Sequence, residues 1–202
     1  NGISAAGGGG VAVTGGVLTV NGPTAFTGNL ATTDGGAIFA DGSTVNITDA
    51  VFTGNTADNG GGIHAENGGN LIVTTSTFDT NTVTTHGGGI NMADNGGPLT
   101  VTGSLFTGNT ANAGGGIFNG ANAAVNVTNS NFTLNTGTTG GGGIYNALAA
   151  ALELTIRNSG FSTNEATAGP GGDVFNASVA GLFITNSTWG ISEPNSSLAA
   201  EL

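Results

Sequence analysis

Six times along this chain a phenylalanine is followed three residues later by an asparagine. The pairs are Phe26 and Asn29, Phe52 and Asn55, Phe78 and Asn81, Phe106 and Asn109, Phe132 and Asn135, and Phe161 and Asn164. Ahead of each pair stands a glycine run closed by an aliphatic residue: Val11, Ile38, Ile63, Ile90, Ile117 and Ile144. Between run and pair lies a short alternating stretch, such as Val125-Asn126-Val127-Thr128. A seventh copy has Gly171, Gly172 and Val174, then Leu182 and Ile184. There Trp189 replaces the phenylalanine and the asparagine is lost. The unit recurs every 25 to 30 residues. A unit this small cannot bury its own apolar side chains and needs a copy above and a copy below, which is the logic of a solenoid.

The pieces read as strands. They are short, alternate in polarity and are bounded by Gly, Asn, Asp and Ser. The spacing predicts an all-β, right-handed parallel β-helix of about seven coils, with three short strands per coil. Residues 1–10 read as an N-terminal segment, 11–192 as the β-helix and 193–202 as a C-terminal tail. Stacked coils put like residues in columns one rung apart, ~4.8 Å. Phe26, Phe52, Phe78, Phe106, Phe132, Phe161 and Trp189 should form an inward aromatic stack. Asn29, Asn55, Asn81, Asn109, Asn135 and Asn164 should bond to the rungs above and below, at a turn that tolerates left-handed geometry. A serine column, Ser76, Ser104, Ser130, Ser159 and Ser187, precedes the aromatic one by two.

Composition narrows the function. Charged residues make up 6 % of the chain, against roughly 25 % in ordinary soluble domains, so the surface must be built from Thr, Asn and Ser. The net charge is −11 and Arg157 is the sole Arg or Lys. That excludes the phosphate neutralisation on which nucleic-acid binding depends, and docking on anionic membrane surfaces. There is no cysteine, hence no disulfide framework and no thiol chemistry. No apolar run approaches the ~20 residues of a membrane-spanning helix. The chain opens on Asn1, which reads as a secreted, extracellular product with its signal peptide removed.

The paired motifs GG-[AG]-[IV] and F-x-x-N resemble the repeats of chlamydial polymorphic outer membrane proteins. They are similar also to the GGGIYN and LTVTNSTFSGN repeats of large bacterial surface β-helix proteins. The resemblance covers about residues 7 to 192. It implies an extracellular parallel β-helix, in the chlamydial case an adhesive passenger domain. The outer-membrane β-barrel of that family has no counterpart in these 202 residues.

Few residues carry chemistry. Asp41, Glu66 and Asp94 fall at the ends of glycine-run strands in three consecutive coils, so they should share one edge about ~5 Å apart. Paired carboxylates at such a separation suit retaining glycoside hydrolysis, and clusters of them suit calcium. The same residues open the turn sequences Asp41-Gly42, Glu66-Asn67-Gly68 and Asp94-Asn95-Gly96, where Asp, Asn and Gly are favoured for backbone reasons. With a single Arg for a polysaccharide lyase to use, an enzyme is the weakest of three readings, and no metal or other cofactor is expected. Phe39, His64, Asn91, Phe118, Tyr145 and Phe175 should form an outward, partly aromatic stripe, a candidate surface for a carbohydrate or cell surface unless it merely packs under a loop. His64 and His86 read as surface histidines, neither with a carboxylate partner at metal-ligand spacing. Six N-x-[ST] sequons make Asn46, Asn126, Asn131, Asn176, Asn186 and Asn195 candidate glycan sites. The outward threonine columns read as exposed strand residues.

Open rungs invite strand pairing, and neither end carries charged gatekeepers. The leading expectation is therefore a non-enzymatic extracellular filament subunit that stacks head to tail on itself, with the tail crossing the junction. An adhesive module that binds a carbohydrate or host surface is the alternative.

Overall fold

The structure, a computed structural model, describes residues 2–4, 7–93, 95–120, 123–147, 153–178, 181–190 and 198–200. The described residues form a parallel β-solenoid and contain no helix. Four parallel sheets run along it, so each coil has four strands rather than the expected three. The first sheet follows the glycine runs and includes Ile38–Asp41, Ile63–Glu66, Ile90–Met92 and Ile117–Asn119. The second is the alternating stretch, for example Asn70–Thr74 and Leu99–Thr102. The third carries the phenylalanines, as in Thr77–Asp79 and Leu105–Thr107.

The fourth sheet lies between the asparagine and the next glycine run, as in Thr56–Asn59, Thr82–His86 and Thr110–Ala113. It escaped the sequence reading because its inward positions are small: Ala31, Ala57, Val83 and Ala111 form a minor cluster apart from the main core. The legible signal was the Thr-[AVG] dipeptide that follows four of the six asparagines, Asn55, Asn81, Asn109 and Asn135. Among the described residues six coils have four strands, and the seventh has three, from Val174–Asn176 to Thr188–Trp189.

Both termini add to the stack. Ile3–Ser4 pairs in parallel with Leu30–Ala31. At the other end Leu198–Ala200 pairs with Val174–Asn176 of the same chain and extends the first sheet to eight strands. The tail strand expected to reach a neighbouring subunit thus meets an open edge closer at hand, in its own chain.

The main core is a set of columns. Ile38, Ile63, Ile90 and Ile117 from the first sheet meet Leu71, Val73, Leu99 and Val101 from the second and Phe52, Phe78, Phe106, Phe132 and Phe161 from the third, all buried. Phe26 to Phe161 stack with ring centroids 4.6–4.8 Å apart and planes within 6° of parallel. Trp189 extends the stack on Phe161 at 4.9 Å. The rings repeat at the strand spacing itself. The glycine runs make room for them: a Cβ on Gly89 would lie 2.9 Å from Phe106 Cδ1 and 2.6 Å from the Gly116 carbonyl oxygen. The first glycine of each run also turns the corner into the first sheet with a positive φ, 66° at Gly114.

The asparagine column is a continuous hydrogen-bonded ladder. Each Nδ2 donates to the next Oδ1 at 2.8–2.9 Å, from Asn29 through Asn164. The same Oδ1 accepts the backbone N–H of the preceding asparagine at 2.9–3.1 Å. From Asn55 onward the second Nδ2 hydrogen reaches a phenylalanine carbonyl of the coil before, as Asn109 does to Phe78. The left-handed backbone expected at the asparagine sits one residue earlier, at Gly28, Gly54, Thr80, Gly108, Leu134 and Thr163. That leaves the asparagine side chain aimed inward, where from Asn55 onward Oδ1 and both Nδ2 hydrogens are bonded. The serine column works alongside: Ser104 Oγ accepts from the Ser76 N–H and donates to the Thr102 carbonyl.

Two substitutions test this accounting by thermal or denaturant melts. Phe106→Ala, in mid-rod, should cost about 3–5 kcal/mol, whereas Thr102→Ala on the outward face should cost well under ~1 kcal/mol. Asn109→Ala should cost about 2–5 kcal/mol, because it strands the two Asn81 donors and the Phe78 carbonyl together; Asn126→Ala, exposed, should be near neutral.

Candidate ligand pocket

The first-sheet strands point Ile38, Ile63, Ile90 and Ile117 inward. The next residue in each, Phe39, His64, Asn91 and Phe118, therefore points to the other face, continued by Tyr145 and Phe175. This column was expected to be exposed. His64, Asn91, Phe118 and Phe175 are in fact buried, and Phe39 and Tyr145 half-buried. The cause is the unforeseen fourth strand, whose corner into the next glycine run folds back over the column. A Cβ on Gly7 would lie 2.6 Å from Phe39 Cγ, and one on Gly140 would lie 3.4 Å from Tyr145 Cε2. The stripe is mostly packing beneath a corner.

It is also interrupted. Phe39 stacks on His64 at 5.6 Å, and Phe118 on Tyr145 at 5.3 Å. Between these pairs the position belongs to Asn91, which has no ring. His86 leans in from the fourth sheet instead and stacks on Phe118 at 4.1 Å. It can do so because Thr82–His86 has five residues where Thr56–Asn59 and Thr110–Ala113 have four, and the register shifts there. The residual space is a cavity of about 310 Å³ lined by Asn59, His64, Glu66, Asn67, His86, Asn91, Ala93, Asn95 and Phe118.

His64 is 3 % exposed, a correction to its reading as a surface histidine. It has two carboxylate partners: Asp34 Oδ1 is 3.6 Å from Nδ1 and Glu66 Oε2 is 3.4 Å from Nε2. Glu66 stands two residues on, on the same face of the strand, a period-two signal present in the sequence. Asp34 arrives from the corner of the preceding coil and was not foreseeable. Asn91 Nδ2 lies 3.0 Å from His64 Nδ1. Asn91 Oδ1 is buried and has no hydrogen-bond partner among the described residues.

The acidic edge is assembled as expected in part. Asp41 and Glu66 are register partners on adjacent strands. Asn67 Nδ2 spans them, 2.8 Å from Asp41 Oδ1 and 3.4 Å from Glu66 Oε1. A neutral amide thus holds the two carboxylates together. Asp94 lies outside the described residues. Among those residues no group of three His, Asp or Glu side chains converges to hold a metal ion.

Among the sequons, Asn126, Asn131 and Asn186 are exposed and Asn46 is half-buried. Asn195 lies outside the described residues. Asn176 is 3 % exposed, and its amide is committed: Oδ1 accepts from Asn146 Nδ2 at 2.6 Å and Nδ2 donates to the Ser178 carbonyl. It belongs to a second asparagine ladder, Asn119–Asn146–Asn176, that sequence reasoning missed, because only the last three coils of the first sheet carry it.

The fold and the columns agree with a comparison of families. Residues 23–41 and 49–66 match the Chlamydia polymorphic membrane protein repeat. The chain is a β-solenoid built on repeats similar to that one. Each matched segment of this polymorphic membrane protein repeat runs from the third sheet through the asparagine corner into the first sheet. It therefore joins one phenylalanine, one ladder asparagine and one glycine run. Neither a curated protein nor a solved structure matches the chain.

Glycan mapping by mass spectrometry checks the burial pattern. Secreted from a host that glycosylates N-x-[ST] sequons, the protein should carry glycans at Asn126, Asn131 and Asn186 and none at Asn176.

Proposed function

We propose that this chain is a non-enzymatic structural protein of a cell surface, a rod that lengthens by stacking end to end on copies of itself. The observation that carries the reading is the contrast between mid-rod and ends. Core columns that are sealed in the interior open at both extremities. Val13, Leu18, Val20 and Phe26 in the first coil, and Leu182 and Ile184 in the last, are only half-buried. Phe183 is 51 % and Trp189 38 % exposed. Among the described residues, the last strands of the second and third sheets, Leu182–Thr185 and Thr188–Trp189, have a partner strand on one side only, and Leu198–Ala200 pairs within the first sheet.

Such edges and apolar faces drive association unless charge protects them, and no charged residue occupies these end strands. A second copy fits because its first coil offers Phe26 where Trp189 ends the aromatic stack. The contact is heterologous, so it propagates rather than closes. The asparagine ladder plays no part in it. Its lower end accepts from the Gly2 N–H at 2.7 Å and its upper end donates to Asp173 Oδ1 at 2.8 Å, both within the chain. An extracellular setting suits the uncharged Thr- and Asn-rich surface and the similarity to a membrane-protein repeat of Chlamydia.

Light scattering and negative-stain microscopy test the reading. The protein should form rods whose length grows with concentration. Trp189→Lys, which places a charge over the stack, should lower the association constant at least about tenfold and keep the β-sheet circular dichroism. A monomer with full β signal at the highest concentrations reached would overturn it, and would assign the open rungs to a further polypeptide segment.

A further inference from the structure

The corner between the second and third sheets is one residue longer in the first coil than in the coils that follow. Val20 and Thr24 are register partners of Ile47 and Ala50, so Asn21, Gly22 and Pro23 fill a turn that Thr48 and Asp49 fill one coil on. We propose that this turn is a modification site, at which Asn21 deamidates spontaneously through attack by the Gly22 backbone nitrogen. The site is separate from the pocket and does not depend on any association of the rod ends.

The extra residue takes the turn off the hydrogen-bonded ladder. In five later coils the corner residue donates its N–H to a carbonyl of the next coil: Asp49 to Thr74, Thr75 to Thr102, Gly103 to Thr128, Asn129 to Arg157 and Asn158 to Thr185, all at 2.9–3.2 Å. Among the described residues none accepts a hydrogen bond from the Gly22 N–H. That nitrogen is left to solvent.

The sequence has six Asn-Gly steps, and glycine offers no side chain to hinder ring closure on the asparagine before it. In five of them the glycine nitrogen is engaged. Gly2 donates to Asn29 Oδ1 at 2.7 Å, Gly60 to the His86 carbonyl at 2.9 Å and Gly120 to the Met92 carbonyl at 2.9 Å. Gly68 donates to the Asn95 carbonyl and Gly96 to the Ala93 carbonyl at 2.7 Å. Exposure does not single out Asn21, because Asn67 and Asn95 are exposed too. What distinguishes Asn21 is the free nitrogen beside it. The turn also has room for a new ring. Gly22 has a φ of 81°, and a Cβ built there would meet nothing within 4 Å.

The reaction balances with water alone. The Gly22 nitrogen gives its proton to a solvent base and bonds to Asn21 Cγ. The Cγ–Nδ2 bond breaks, Nδ2 takes a proton from water, and ammonia leaves a five-membered succinimide. Water then opens the ring at either carbonyl, to aspartate or to isoaspartate. Either product puts a carboxylate at the corner between Val17–Val20 and Thr24–Thr27, two strands that carry no charge.

The full chain is held folded in neutral buffer at body temperature for several weeks, and a second sample is held unfolded in guanidinium chloride. Peptide mapping by mass spectrometry reads amide-to-acid conversion at each Asn-Gly step, and enzymatic methylation of isoaspartate confirms the succinimide route. In the folded protein Asn21 should convert at least about tenfold faster than Asn59, Asn67, Asn95 or Asn119, since each of those must first break a backbone hydrogen bond. Unfolded, the five should convert at similar rates. An Asn21 that keeps its amide in the folded protein overturns the proposal. So does conversion of Asn67 or Asn95 there as fast as that of Asn21, or an acid product at Asn21 with no isoaspartate.

Discussion

The corner after each phenylalanine is the constraint on which the rest of the solenoid depends. A chain that turns so sharply leaves backbone N–H groups and carbonyls facing the interior, where an unpaired polar group costs about 1–3 kcal/mol. One asparagine per coil resolves this for three groups at once. Its Oδ1 accepts a backbone N–H and an amide from one neighbouring coil, and its Nδ2 reaches a phenylalanine carbonyl. Because each asparagine needs the next, the ladder also sets the register: a coil shifted by one residue would lose every bond in it. Gly2 and Asp173 close the two ends of the ladder, which confines it to the coils that have the asparagine.

Register, once set, determines the packing. Phenylalanines one strand spacing apart can only stack nearly face to face, and their rings come within reach of the glycine runs of the first sheet. A side chain at Gly89 or Gly116 would strike both ring and backbone. The two halves of the repeat motif are thus one packing unit seen from its two sides. The aromatic core needs the glycines, and the glycines are tolerable because parallel pairing on either side holds their backbone.

The candidate pocket arises from small departures from this regularity. One asparagine replaces a ring in the outward column of the first sheet, and one extra residue in Thr82–His86 lets His86 lean across. Neither change disturbs the interior, where Ile90 and Phe106 keep their places. A solenoid can carry a local site in this way because each coil contacts only its neighbours. An irregularity on the outer face is absorbed within about one rung.

The sequence by itself determined the solenoid, the three sheets with branched or aromatic inward residues, the faces of those strands and both principal columns. Those features repeat at fixed spacing, and repetition converts a weak local signal into a strong one. It also brought Asp41 and Glu66 together, since both count from an aligned isoleucine. Tertiary structure alone decided the fourth sheet, whose inward Ala57, Val83 and Ala111 are too small to mark a buried strand. That strand and its corners in turn cover Phe39, Phe118 and Tyr145 and bury His64 against Asp34 from another coil. Burial of an outward-pointing side chain depends on what folds over it, and what folds over this column is a corner whose path no periodicity records.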